Sequence, residues 1–162
     1  MRKILLSLML LISVSAFSQN YEYGVSKIVD KYEGTTRYLF RTKGKGYNGN
    51  LFVLIKQIKG ADTTYYCQLN SKNFENLNDN MQGDEIDLLS TTNEKFKFKA
   101  GINVETSDIS VLFRYEAAFV ITKDDLQRFS NNIISEYRIR GIYTEFKNGE
   151  KMSTILKYLI TL

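Results

Sequence analysis

The 162-residue sequence contains no histidine, no proline and no tryptophan, and a single cysteine, Cys67. Without histidine, Ser-His-Asp and Cys-His catalysis are excluded in their usual forms. Histidine-ligated zinc, copper and iron sites are excluded too, and one cysteine cannot build a thiolate site. The commonest acid–base side chain is therefore missing, and the hydrolytic reading is one through paired carboxylates. A lone cysteine also leaves no internal disulfide. Cys67 shares parity with Tyr65 and Leu69 in the run Thr63–Leu69, the pattern of a small buried hydrophobe on a strand. From Tyr21 onward there is no low-complexity linker, no repeat and no long run of like charge.

The chain opens with Arg2 and Lys3, then an almost wholly apolar run from Ile4 to Val14, then Ala16-Phe17-Ser18. A basic start, an apolar middle and small residues before a cut form the three-part layout of a secretory signal. The apolar run falls short of the roughly 20 residues a membrane span needs. The expected cut follows Ser18 and leaves Gln19 first, with a cut after Ala16 as second choice. No cysteine stands at the junction to carry a lipid. The short basic start and the Ala-Phe-Ser-Gln junction resemble those of proteins exported by Gram-negative bacteria. Residues 1–18 are thus expected to be a signal peptide and 19–162 a single domain, periplasmic or extracellular, with no membrane span in the mature chain.

Removing the leader leaves 20 basic and 18 acidic residues, a net charge of +2. A charge that near zero gives no support for nucleic-acid binding. About 144 residues suit one domain, and a domain of that size buries a core without staples.

Tyrosine and phenylalanine are abundant, with 11 and 10 copies, and suit half-buried pleated surfaces. Alternation of period two dominates the pattern. Lys95-Phe96-Lys97-Phe98-Lys99-Ala100 alternates without fault, and Ile109 to Ile121 keeps its apolar residues mainly on odd positions. The latter predicts the longest strand, or two strands with a bend near Glu116. Leu51 to Ile55 is apolar on both parities, the pattern of a central strand covered on both faces. Thr35 to Thr42 sets Tyr38 and Phe40 on one face. Gly60-Ala61-Asp62 predicts a tight hairpin, and Asn148-Gly149 a two-residue one. The latter register would place Lys147 opposite Glu150 and make Leu156, Tyr158 and Ile160 core residues of a closing strand. One helix is expected near 122–132: Thr122-Lys123-Asp124-Asp125 resembles a capping box, and Leu126, Phe129 and Ile133 fall on one face. Asn70–Met81 reads as a long loop or weak helical turn. The sum is a mainly β fold, an antiparallel β-sandwich or half-open barrel of about 8–10 strands with one short helix.

Few residues mark a site. Gly44-Lys45-Gly46-Tyr47-Asn48-Gly49 has the spacing of a dinucleotide loop, but a strand follows it where a helix is required. Lys43, Lys45 and Tyr47 are instead candidate binding residues on an exposed loop. Asp79, Asp84, Glu85 and Asp87 lie in an oxygen-rich stretch and are candidate calcium ligands, although Leu89 stands where an EF-hand places glutamate. Lys95, Lys97 and Lys99 form a basic row that suits either a solvated face or an anionic partner. The expected function is an exported, non-catalytic binding or accessory domain of the bacterial envelope, its partner a protein, a glycan or an anionic envelope component. A histidine-free carboxylate hydrolase acting on glycans is the alternative, and a β-barrel carrier of an apolar ligand a further one.

Overall fold

The computed structural model describes residues 19–20, 22–42, 52–73, 85–106 and 113–162. They form a mainly β fold: ten antiparallel strands in one sheet and two α-helices. The strands are β1 (Gln19–Asn20), β2 (Ser26–Asp30), β3 (Thr35–Arg41), β4 (Phe52–Lys59), β5 (Asp62–Asn73), β6 (Glu85–Ser90), β7 (Lys95–Thr106), β8 (Phe113–Ile121), β9 (Ile134–Ile139) and β10 (Ile142–Glu145). The helices are α1 (Lys123–Asn131) and α2 (Gly149–Thr161). The spatial order is β1-β2-β3-β4-β5-β8-β7-β6-β9-β10, and the sheet does not close.

The corner of the sheet is β7. Lys95 to Lys99 pair with β6, whereas Ala100 to Thr106 pair with β8. One strand thus belongs to both halves of the sheet, and the halves fold towards each other. The Tyr137 hydroxyl on β9 donates to the Asn70 carbonyl on β5, and Phe146 packs edge-on against both Phe52 and Tyr137. Alternation places Phe52, Leu54, Tyr65, Cys67 and Leu69 on the buried inner face of one half. On β7 and β8 it buries Phe96, Phe98, Tyr115, Ala117 and Phe119 in the same way.

Helix α1 fills the notch where β7 leaves β8. Thr122 caps it, its Oγ1 accepting from the Asp125 amide at 3.2 Å, and Phe129 packs against Phe96, Phe98 and Phe119. Ile133 lies beyond the helix and is 37% exposed, so the expected apolar face ends at Phe129. Arg128 reaches back to Glu94 at 2.6 Å and lies over the Phe96 ring.

The expected C-terminal hairpin is absent. Gly149–Thr161 is helical, and Met152, Ile155, Leu156 and Leu159 are its buried face. That spacing is helical, and it competes with the period-two series Thr154, Leu156, Tyr158, Ile160 over the same residues. The helix wins because the folded-over sheet presents an apolar concavity wider than a strand, and a 3.6-residue stripe fills it. Leu156 is buried as expected, but Tyr158 is only half-buried and Ile160 is 38% exposed. The two-residue turn instead falls at Arg140-Gly141, between β9 and β10, where both φ angles are positive (48° and 82°).

Other expectations hold with adjustments. Lys59 pairs with Asp62 across the Gly60-Ala61 turn. Cys67 is free and buried. Phe52 and Leu54 are core, but Val53 and Ile55 on the outer face are only half-buried, so β4 is not covered on both sides. The longest strands are β5 and β7, with 12 residues each, against 9 for β8; residues 107–112 lie outside the described residues. Asn70 to Asn73 extend β5, where a loop was expected.

Candidate functional site

The outer face of β6, β7, β9 and β10 carries a grid of polar side chains set by register. Because Ile86, Leu88, Phe96, Phe98, Tyr137, Ile139 and Ile142 point to the core, their neighbours point outward. Lys97, Asp87, Arg138 and Tyr143 stand in one cross-strand row; Lys95, Leu89, Glu136 and Glu145 stand in the next.

Asp87 is the centre of the first row. Arg138 Nε donates to its Oδ2 at 3.0 Å, with Nη2 on the same oxygen, and Lys97 Nζ lies 3.7 Å from Oδ1. These partly exposed pairs contribute little stability but hold three side chains in place. Tyr143 is 62% exposed. The Glu136 carboxylate beside its hydroxyl, with the Glu145 charge, holds the Tyr143 phenol above its ordinary ionisation range. The ring is therefore presented to solvent with its hydroxyl end beside Glu136.

Two shallow clefts meet at this ring and share Glu136 and Tyr143. One, of about 370 Å³, lies over Asp87, Leu89, Lys95, Lys97 and Arg138. The other, of about 530 Å³, is lined by Ser135, Glu145, Lys147 and Glu150 and reaches the start of α2. Gly149 forms part of its floor, where the helix backbone crosses β9 so closely that a Cβ would lie 1.9 Å from the Ile134 carbonyl oxygen. The groove is basic at the β7 end and acidic at the β10 end.

Glu136 and Glu145 are cross-strand partners, so two carboxylates stand side by side. Both clefts open to solvent, and neither supplies the enclosed apolar surroundings that hold a carboxylic acid protonated for general-acid work. The arrangement is suited to stacking on an exposed ring and to hydrogen bonding with fixed charged groups.

Of the residues singled out in the sequence, Lys43, Lys45, Tyr47, Asp79 and Asp84 lie outside the described residues. Glu85 is exposed and sits opposite Lys99, and Asp87 is engaged by two cations. Among the described residues no cluster of three or more cysteine, aspartate or glutamate side chains is placed to hold a metal. Lys95, Lys97 and Lys99 are all exposed on one face, as their alternation predicts. Tyr143, Glu136 and Arg138 do not stand out as a group in the sequence, because a hairpin at Asn148-Gly149 would turn Tyr143 inward against Thr154. Placing the tight turn at Arg140-Gly141 brings Tyr143 beside Arg138 on the solvent face.

The fold and groove define a mainly β domain with an open polar cleft. No protein-family profile, curated protein or solved structure matches the chain.

Proposed function

We propose that this chain is an exported, non-catalytic binding domain of the bacterial envelope, and that it holds a glycan in the groove around Tyr143. The observation that carries the reading is the exposed Tyr143 ring standing in one row with the linked Arg138, Asp87 and Lys97 side chains. A sugar ring offers an apolar face to an aromatic surface and hydroxyls to the groups beside it. Asp87, Arg138, Glu136 and Lys97 are such groups. Export is supported by the three-part leader of residues 1–18. Among the described residues no helix is long and apolar enough to cross a membrane.

The hydrolase reading draws only on the neighbouring Glu136 and Glu145, in a groove that does not exclude water. The carrier reading is disfavoured because Met152, Ile155, Leu156 and Leu159 of α2 occupy the concave side of the sheet. The test is calorimetric titration of the mature protein with soluble envelope oligosaccharides. Tyr143→Ala should weaken binding at least tenfold without lowering the unfolding midpoint. Equal binding by wild type and Tyr143→Ala would overturn the reading, and product formation on incubation would favour the hydrolase.

A further inference from the structure

On the inner face, well away from the groove, one cross-strand row departs from the apolar pattern. Lys27, Tyr38, Lys56 and Tyr65 are successive partners on β2, β3, β4 and β5, and Ile121 on β8 ends the row. Two lysines thus alternate with two tyrosines. Lys27 Nζ lies 5.7 Å from the centroid of Tyr38, and Lys56 Nζ lies 5.7 Å from the centroid of Tyr65. The next row outward, Val29, Thr36, Ile58 and Thr63, ranges from half-buried to exposed, so Tyr38, Lys56 and Tyr65, with the half-buried Lys27 at the end of their row, form the last layer before the rim.

Lys56 is the unusual member. It is only 7% exposed and follows Phe52 and Leu54 on the buried side of β4. Among the described residues it forms no ion pair with any carboxylate, and its ammonium rests against the Tyr65 ring. The Nζ is not sealed in the interior, so the stem is buried while the ammonium keeps access to the rim. Burial disfavours the charged form and holds its ionisation below the ordinary lysine range. A methionine would fill this place without that cost. A cation kept at an apolar position, with a second cation two strands away, is the arrangement of a site that waits for its counter-charge.

We propose that Lys56 and Lys27, framed by Tyr38 and Tyr65, bind an anionic oxyacid group, a carboxylate or phosphate, at the rim of the inner face. Strands two apart in a sheet are separated by about 9.6 Å, within the combined reach of two flexible lysine stems; Lys56 would swing from the Tyr65 ring towards Lys27 to share one oxyanion with it. The tyrosine rings supply an apolar frame for whatever carries the anion. This site is independent of the Tyr143 groove.

The test uses the mature chain with ¹³C-labelled lysine, titrated with sodium phosphate and separately with sodium acetate at constant ionic strength set by chloride. The expected result is a saturable shift of the Lys56 and Lys27 Cε resonances with one shared dissociation constant per anion, while exposed Lys123 follows only the ionic medium. The phosphate and acetate arms show which oxyacid is preferred. Lys56→Met should weaken the Lys27 response at least tenfold and leave the unfolding midpoint equal or higher. Should Lys56→Met fail to fold, Lys27→Gln, at a partly exposed position, must weaken the Lys56 response instead. Linear shifts that match Lys123, or an unchanged Lys27 response in Lys56→Met, would overturn the proposal.

Discussion

The Tyr137 hydroxyl donates to the Asn70 carbonyl, a bond between β9 and β5 that spans the interior of the folded sheet. It joins two strands that share no ladder. Tyr137→Phe leaves the Asn70 carbonyl without this donor, and an unsatisfied buried polar group costs about 1–3 kcal/mol. Denaturant unfolding at neutral pH measures it. Burial raises the Tyr137 phenol well above its ordinary ionisation range. A raised phenol contributes stability that is fully present below the unfolded-state value of about 10 and is lost as pH climbs through the folded-state value. Wild-type stability should therefore fall above about pH 10, and Tyr137→Phe should show a shallower fall. The buried Cys67 thiol is raised for the same reason and adds to the loss from a lower starting pH, so the comparison is made between variants that retain it.

Gly149 meets β9 at a place that admits no side chain. A glycine-to-alanine change in a helix ordinarily stabilises by up to about 1 kcal/mol. Here the added methyl would meet a backbone oxygen at 1.9 Å, which cannot rotate away. Gly149→Ala should destabilise by about 1–3 kcal/mol or more, as overpacking does. The sign alone decides: a stabilised variant would mean that α2 does not cross β9 at Ile134.

Thr122 caps α1, and its hydroxyl also donates to Asp125 Oδ2 at 2.8 Å. Thr122→Ala should cost about 1 kcal/mol in an unfolding titration, and Thr122→Ser much less. Equal stability of all three forms would remove the cap from the account.

Much of the fold is legible in the residue pattern alone. Alternation at Lys95–Ala100 assigns the faces correctly because one side of β7 is core and the other is solvent. The Thr122 cap is legible because capping is a local interaction. The C-terminal segment is not, because Thr154 to Leu162 carries two periods at once and only the concavity of the sheet selects the helical one. The Asn148-Gly149 pair points the wrong way: its glycine serves close packing at the start of α2, whereas the positive φ angles belong to Arg140 and Gly141. The groove is hidden for the same reason, since Tyr143 joins Glu136 and Arg138 only once the correct turn sets the register. The Lys56 row is illegible for another reason. It joins residues from four strands, and no local pattern records which lysine stands opposite which tyrosine.

If the outer face of β6, β7, β9 and β10 is the binding surface, amide shift mapping of the mature protein at saturating envelope oligosaccharide must locate it there. The largest shifts are expected in residues 85–99 and 134–150, centred on Tyr143, and should disappear in Tyr143→Ala. Shifts centred on Lys27, Tyr38, Lys56 and Tyr65, or no shift with any oligosaccharide, would contradict the assignment of this face.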